Sequence, residues 1–382
     1  MKLDHINKKW EILVIDDSRL NRAIIAQTLE KLNMNVDEAE DGYRGLQALK
    51  NKKYDLVLVD IIMPNMDGFG FLERYSSVVE DSFIPVILMT GSDDLNSKIK
   101  GLRIGADDFL LKPLNEKELV ARVFSLLRLK SAHTELFEKN QQIKKELEAA
   151  KRIQRFIIPK DFSTVTYPNV YGRYYPIEDI GGDYFDFYKL DEGLYGFLIA
   201  DVTGHGIPAA LIMSMSKMIF SIYAPLFNST DELLNKVNIE MGKMLLAHQY
   251  ITCFYLIYND RTKEIFYTNA GHPRALFFRK KSSKVLGLDT RGLFIGISKN
   301  NLYEMKSLKV LPGDRLLLYT DGITELTDKD SEEFGEKRLA NFMLKKKGNK
   351  GDSFCSALID EIKSFGHIKN RRDDIAFINI EF

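Results

Sequence analysis

The middle of the chain contains a stretch, residues 129–157, that has neither proline nor glycine and ends just before Pro159. Its residues follow the heptad spacing of a coiled coil, with Leu129, Leu136, Ile143, Ala150 and Ile157 on one seam and His133, Asn140, Leu147 and Gln154 interleaved. We therefore expect a helical, coiled-coil linker over residues 128–158 that pairs with a second copy of the chain. Because several seam positions are polar, a plain helical linker resting on one domain is the alternative.

Length and charge limit the classes of function. The 382 residues are enough for two domains, and 54 basic against 54 acidic side chains leave no net charge. No basic field therefore attracts nucleic acid or an anionic membrane. Two short basic runs, 279–284 and 345–350, are expected to be solvated loops.

The remaining bulk features predict a cytoplasmic protein. Cys253 and Cys355 lack metal-ligand spacing, which indicates free buried thiols in a reducing compartment. We find no signal-peptide pattern and expect no apolar run of the roughly 18 residues that a membrane span needs.

Residues 10–127 alternate short apolar runs with helical periods, which predicts a doubly wound α/β domain with a parallel sheet covered on both faces. The predicted strands are 11–15, 35–39, 56–60, 85–89 and 108–111. The predicted helices are 19–32, 43–50, 68–79, 95–104 and 116–127.

Polar residues end these strands, where α/β sheets place their functional sites. They are Asp16, Asp17, Asp60, Thr90 and Lys112. Three clustered carboxylates repel one another unless a hard cation such as Mg²⁺ lies among them. A lysine and a hydroxyl beside them are suited to contact a phosphoryl group.

The motifs Asp16-Asp17, Asp60 to Gly68, Thr90-Gly91 and Lys112-Pro113 resemble those of a response-regulator receiver domain over its full length. The resemblance implies a (βα)5 fold in which Asp60 accepts the phosphoryl group. It implies that Asp16 and Asp17 hold Mg²⁺ with Asp60, and that Lys112 and Thr90 contact the phosphoryl group. It also implies an aromatic switch at Phe109 and a cis Lys112–Pro113 peptide.

Residues 165–382 have a different pattern, in which strands precede and follow long helical stretches. We predict strands at 170–175, 185–189, 194–202, 251–258, 264–269, 275–279, 316–320 and 375–380. Helices are predicted at 208–224, 230–246 and 353–364. This order indicates an α+β domain, a sandwich with helices outside.

Carboxylates again stand at turns and strand ends in this domain: Asp183, Asp201, Asp321 and the pair Asp373-Asp374. Four separated carboxylate sites can ligate two hard divalent ions, which activate water for in-line attack on phosphorus.

Two families share parts of this pattern. Residues 181–185 resemble the signature of diguanylate cyclases, but Tyr184 stands where that signature has an acidic residue. The runs 201–210, 269–273, 313–325 and 373–375 together resemble PPM-type, sporulation-class bacterial serine/threonine phosphatases, which implies an α-β-β-α sandwich.

The phosphatase resemblance implies a site with two Mn²⁺ or Mg²⁺ ions. Asp183, Asp201, Asp321 and Asp373 fall on its metal-ligand positions, with Asp374 as the alternative to Asp373. The backbone carbonyl of Val202 matches a further ligand.

The two resemblances together predict a phosphorylation relay. A sensor histidine kinase would phosphorylate Asp60, and the homodimeric chain would dephosphorylate a phosphoserine or phosphothreonine, usually in a STAS-type anti-sigma factor antagonist. A catalytically weak protein that sequesters such a partner is the main alternative. A dinucleotide cyclase is a second alternative. A DNA-binding response regulator is the least favoured, since no basic recognition helix follows the first domain. The sequence leaves open whether phosphorylation activates or inhibits.

Overall fold

The computed structural model describes residues 9–79, 83–91, 95–159, 162, 165, 167–177, 180–366 and 373–382. The chain divides into two compact units, Met1–Lys144 and Lys145–Phe382.

The first unit contains a five-stranded parallel sheet in the order β2-β1-β3-β4-β5. Its strands are β1 (Glu11–Ile15), β2 (Asn35–Ala39), β3 (Leu56–Asp60), β4 (Val86–Thr90) and β5 (Asp108–Leu111). Its helices are α1 (Arg19–Glu30), α2 (Gly42–Asn51), α3 (Gly68–Tyr75), α4 (Leu95–Ile104) and the start of α5 (Glu116–Ile157). Apolar clusters cover both faces of the sheet because the central strands are apolar throughout. The predicted doubly wound architecture is confirmed.

Helix α5 is longer than the predicted receiver helix and continues without a break through most of the predicted linker. Its first turns pack on the receiver sheet through Leu119 and Val123, which are buried. Farther along, the seam residues Leu129, Leu136 and Ile143 are 50%, 60% and 52% exposed within the single chain. Apolar side chains of this size, repeated on one face, leave a surface available for a partner.

The second unit contains two five-stranded antiparallel sheets, ordered β13-β10-β9-β8-β7 and β12-β11-β14-β15-β6. The strands are β6 (Asn169–Tyr175), β7 (Tyr184–Asp191), β8 (Leu194–Val202), β9 (Ile251–Asn259), β10 (Glu264–Ala270), β11 (Ala275–Arg279), β12 (Lys284–Leu288), β13 (Lys306–Lys309), β14 (Arg315–Tyr319) and β15 (Ile375–Glu381). The helices are α6 (Gly206–Tyr223), α7 (Thr230–Met241), α8 (Asp321–Thr324), α9 (Gly335–Lys345) and α10 (Gly351–Phe365).

Two apolar cores divide this unit into layers. The first core joins the facing sides of the two sheets to α6 and α7. Phe197, Phe220 and Ile378 are among its buried members. The other joins the outer face of the second sheet to α9 and α10. The predicted α-β-β-α sandwich is therefore confirmed.

Several element boundaries differ from the prediction. Strand β4 begins and ends one residue later than predicted, so Thr90 is its last residue. Strands β12 and β13 were not predicted because they are largely exposed and lack apolar alternation. Helix α9 was also missed, although Leu339, Phe342 and Met343 give it a buried face.

The expectation that no apolar run reaches membrane-spanning length is wrong. Among the described residues, Gly206–Leu226 is long and apolar enough by length and composition alone. Buried side chains of this stretch, including Ile212, Met213 and Phe220, belong to the core that it shares with the sheets. The stretch is thus a packed helical layer of the second unit.

Candidate metal and phosphate sites

The polar residues that end the receiver strands meet in one cleft, as predicted. Single carboxylate oxygens of Asp16, Asp17 and Asp60 all lie within 4.8 Å of one another. Asp16 and Asp60 are buried, whereas Asp17 is exposed. Three oxygen ligands at this spacing fit a hard cation such as Mg²⁺.

Lys112 connects two of these carboxylates. Its Nζ atom donates to Asp16 Oδ2 at 2.7 Å and to Asp60 Oδ2 at 2.6 Å. Burial raises the pKa of Asp60, and the hydrogen bond from Lys112 opposes that rise. Burial alone would lower the pKa of Lys112, but its two carboxylate partners outweigh it and the pKa is raised. The lysine therefore remains a fixed positive charge beside Asp60.

The other receiver residues lie as the motifs predict. Thr90 is buried at the end of β4, next to Leu111 on β5. Phe109 is partly buried, with the Lys98 ammonium 4.8 Å and the Arg122 guanidinium 5.4 Å from its ring centre. The Lys112–Pro113 peptide is cis. The switch role of Phe109 and the phosphoryl contacts of Thr90 stay predictions.

In the second unit, carboxylates from both sheets collect at one end of the sandwich. Asp183 precedes β7, Asp201 lies near the end of β8, Asp321 follows β14 and Asp373 precedes β15. Burial, followed by the charge of Asp321, raises the pKa of Asp201 to about 7. Burial raises the pKa of Asp373 to about 6, with Asp321 and Asp374 among the further causes. These groups thus act electrostatically on one another.

Asp183 is the most constrained member of this cluster. It is 1% exposed, and neither of its carboxylate oxygens has a hydrogen-bond partner among the described residues. Burial, then the charges of Asp201 and Asp374, raises its pKa well above the ordinary value. A buried carboxylate without donors is costly unless a cation compensates it. A divalent ion beside Asp183 would provide that compensation, although three carboxylate oxygens within 4.8 Å of one another occur, among the described residues, only in the receiver cluster.

The two adjacent aspartates differ in their contacts. Asp374 accepts hydrogen bonds from the backbone N–H groups of Ile177 at 2.6 Å, Gly182 at 2.9 Å and Asp183 at 3.3 Å. Asp373 Oδ1 accepts the N–H of Asp374 at 2.7 Å. Asp374 therefore holds the backbone around Asp183, which leaves Asp373 as the better candidate ligand, in agreement with its motif position.

The predicted carbonyl ligand lies beside the same loop. A Cβ atom built on Gly182 would come within 2.8 Å of the Val202 carbonyl oxygen. The Gly182 backbone therefore approaches Val202 more closely than another residue would allow. This close approach brings the loop carrying Asp183 against the end of β8.

Gln154 is a contributor that the sequence pattern did not single out as part of this site. It lies near the end of α5 and is 6% exposed. Its Nε2 donates to Gly181 O at 2.6 Å, and its Oε1 accepts the Gly181 N–H at 3.2 Å. The amide thus pairs with both polar groups of the residue two positions before Asp183. In the sequence, the signal that could have indicated this role is a polar residue at the end of an apolar seam.

Comparison with known proteins agrees with this architecture. The model of the stage II sporulation protein E (SpoIIE) family matches residues 191–382, half of the chain. The chain belongs to the SpoIIE family. A second model, the response regulator receiver domain, matches residues 12–124. This SpoIIE-family chain therefore combines a receiver domain with a PPM-type phosphatase domain.

Individual relatives match one domain each. Phosphoserine phosphatase RsbU of Bacillus subtilis (strain 168) is 31% identical over 185 residues, which are 48% of this chain and 55% of that protein. The probable transcriptional regulator ycf27 of Porphyridium aerugineum is 38% identical over 121 residues, 32% of this chain and 49% of that protein. The chain thus spans about half the length of these curated relatives.

Solved structures show the same phosphatase fold. The SiaA-PP2C domain of Pseudomonas aeruginosa aligns with a TM-score of 0.57 at 19% identity, covering 64% of this chain and 98% of that one. The RsbU and RsbW domains of Rv1364c from Mycobacterium tuberculosis align with a TM-score of 0.50 at 21% identity, covering 56% and 59%. These two structures support the sandwich fold of the second unit.

Proposed function

We propose that this chain is a two-component response regulator whose output is metal-dependent dephosphorylation of phosphoserine or phosphothreonine in a partner protein. The observation that carries the proposal is Asp183, whose carboxylate is buried and lacks hydrogen-bond donors among the described residues. It lies at the sandwich end that also holds Asp201, Asp321 and Asp373. Such a group of carboxylates is suited to divalent cations.

In the phosphatase domain the side chains divide into ligands and supports. Asp183, Asp201, Asp321 and Asp373 would hold the ions, with the backbone carbonyl of Val202. Two Mn²⁺ or Mg²⁺ ions, when bound, would activate water and neutralise the charge that develops on the phosphate. Asp374 would keep the loop around Asp183 in place through its three backbone hydrogen bonds.

In the receiver domain Asp60 would be the phospho-acceptor. Its carboxylate oxygen would attack the phosphorus of the phosphohistidine on an upstream sensor kinase, and the histidine would leave. Asp16 and Asp17 would hold Mg²⁺ with Asp60, while Lys112 and Thr90 would contact the phosphoryl oxygens. The hydrogen bond that already joins Lys112 to Asp60 supports this arrangement.

Signal transfer is proposed to use α5. The exposed seam residues Leu136 and Ile143 would pair with a second copy to form a homodimer. Gln154, on the same helix, contacts the loop that leads to Asp183. A change in how the two helices pair could therefore alter the metal site, if the helix has two arrangements that both domains bias.

The partner is proposed from the relatives. RsbU of Bacillus subtilis is a phosphoserine phosphatase by its name and is similar over the catalytic domain. We infer a phosphorylated STAS-type anti-sigma factor antagonist as the substrate. With no net charge, the chain is expected to act without nucleic-acid or membrane partners.

The test is dephosphorylation of a phosphoserine STAS-type protein in Mn²⁺, with and without acetyl phosphate as donor to the receiver. Wild type is compared with Asp60→Ala and Asp321→Ala. We expect turnover that requires Asp321 and that responds to the donor only when Asp60 is present. The direction of that response supplies the sign of regulation.

Two results would contradict the proposal in different ways. Turnover that ignores Asp60 would leave a phosphatase with an uncoupled receiver. Tight binding of the phosphorylated partner without turnover under any condition would instead identify a sequestering protein.

A further inference from the structure

A cavity of about 740 Å³ opens in the second unit, beside the start of β14 and the end of β15. Arg315 and Phe382 line it at these strand ends. Asp321 and Asp373 lie past the opposite ends of the same two strands. At about 3.3 Å per residue, Arg315 and Asp321 are roughly 20 Å apart. The cavity is therefore separate from the candidate metal site.

The two basic runs of the sequence meet at this cavity. Lys280 comes from the first run, and Lys347 and Lys350 come from the second. All three are exposed, and none forms an ion pair within the part of the chain that the structure describes. We expected these runs to be solvated loops, and that expectation did not include their meeting at one cavity.

The acidic residues that line the cavity are already neutralised by other groups. Asp314 accepts from Arg279 Nη1 at 2.7 Å and from two backbone N–H groups, at 2.9 Å each. Glu381 Oε1 accepts from Arg315 Nη2 at 2.8 Å and from the Gly351 N–H at 2.9 Å. The lysine ammonium groups therefore set the sign of the cavity, which is positive.

Arg315 contributes a buried guanidinium to the wall, and its charge is paired with that of Glu381. It is 4% exposed, and its guanidinium lies 4.0 Å from the ring centre of Phe354. Its Nη2 donates to Glu381 and to Asn349, but Nε and Nη1 have no acceptor among the described residues. Nε and Nη1 are themselves buried, so Arg315 shapes the wall of the cavity while its charge is balanced by Glu381.

Lys280 is positioned by the backbone beneath it. Gly313 has a φ of +91°, and a Cβ atom there would come 2.4 Å from Lys280 Cδ. Glycine suits this position because its backbone takes a left-handed conformation. The Lys280 stem lies over the turn, at the cavity wall.

We propose that this cavity binds a small phosphate-bearing polyanion. Its volume falls within the range of about 300–1,000 Å³ that is usual for small-molecule sites. Three ammonium groups at the surface provide complementary charge on a concave surface. An acidic protein segment would need no enclosed volume, so the concavity favours the small ligand. The site is independent of the proposed phosphatase activity.

The experiment titrates the full chain with inorganic pyrophosphate by calorimetry, in EDTA and physiological salt. Wild type is compared with Lys280→Gln/Lys347→Gln, which removes two cavity charges. The matched control, Lys281→Gln/Lys345→Gln, removes two exposed charges from the same basic runs outside the cavity. We expect affinity to fall at least about tenfold for the cavity pair and less than about twofold for the control pair.

A single variant, Lys350→Gln, tests a third lysine of the same cavity, and we expect it also to weaken pyrophosphate binding. Equal losses of pyrophosphate affinity in the cavity and control pairs would show that the anion binds a diffuse basic surface and not this cavity. Absence of binding by wild type, or tight binding only to an acidic peptide, would overturn the proposal.

Discussion

Two adjacent aspartates of the phosphatase domain, Asp373 and Asp374, show how identical side chains acquire different tasks. Asp374 is 2% exposed, and both of its oxygens accept backbone N–H groups. Asp373 is held only at Oδ1, by its neighbour's N–H, among the described contacts. Stability is therefore expected to depend on Asp374 and metal affinity on Asp373.

Substitution by asparagine separates these tasks. Asp374→Asn places an amide N–H against backbone donors, so we expect the free energy of unfolding to fall by about 1–3 kcal/mol. Asp373→Asn removes one ligand charge from a repelling cluster, so stability without metal should hold while the Mn²⁺ concentration for half-maximal activity rises. Urea denaturation in EDTA and Mn²⁺ titration of activity measure the two effects. The reverse pattern would make Asp374 the ligand.

In the receiver, Lys112 compensates two carboxylates, Asp16 and Asp60, at once. Lys112→Gln should leave them repelling each other, which lowers the unfolding temperature in EDTA. Because Mg²⁺ can replace the lost charge, the decrease should be smaller in Mg²⁺. Lys117→Gln changes an exposed lysine nearby and should have little effect in either buffer. A loss that is independent of Mg²⁺ would show that Lys112 acts only by packing.

At the scale of elements, the sequence predicts what local patterning determines. Thr90 and Lys112 could be placed at strand ends because buried apolar runs precede them. Strands β12 and β13 could not be predicted, since exposed edge strands lack a buried face. The contacts of Asp374 could not be predicted either, because Ile177 and Gly182 are distant in sequence and meet it only in the folded domain.

The end of α5 is another element whose role depends on long-range contact. The predicted seam continues to Gln154, but in the structure this residue is buried against Gly181. Gln154→Leu should keep the volume and lose both hydrogen bonds, leaving the polar groups of Gly181 unpaired. We expect a loss of about 1–3 kcal/mol in stability.

The same substitution should also weaken the link between receiver and phosphatase. The ratio of activities with and without acetyl phosphate should approach one for Gln154→Leu. Gln141→Leu, on an exposed position of α5, is the control and should retain the wild-type ratio. A wild-type ratio in Gln154→Leu would confine the residue to a structural role.

For the whole molecule, the region between the two family matches is the part that comparison does not explain. The matched segments are 12–124 and 191–382, so most of α5 lies between them. Receiver domains and SpoIIE-family domains each carry their own chemistry, and we propose that the segment joining them transmits control. The exposed seam of α5 is the feature of this region that favours pairing of two chains.

Leu136→Lys tests that pairing directly. Leu136 is 60% exposed in the single chain, so a lysine there costs the monomer little. In a paired coiled coil the same lysine would face its symmetry mate, and like charges in an apolar seam are destabilising. We expect light scattering after gel filtration to show a dimer for wild type and for the off-seam control Gln141→Lys, and a monomer for Leu136→Lys.

If dimerisation is how phosphorylation reaches the metal site, the monomer should keep Mn²⁺-dependent turnover but lose the response to acetyl phosphate. A monomeric wild type with a normal response would instead assign coupling to contacts within one chain.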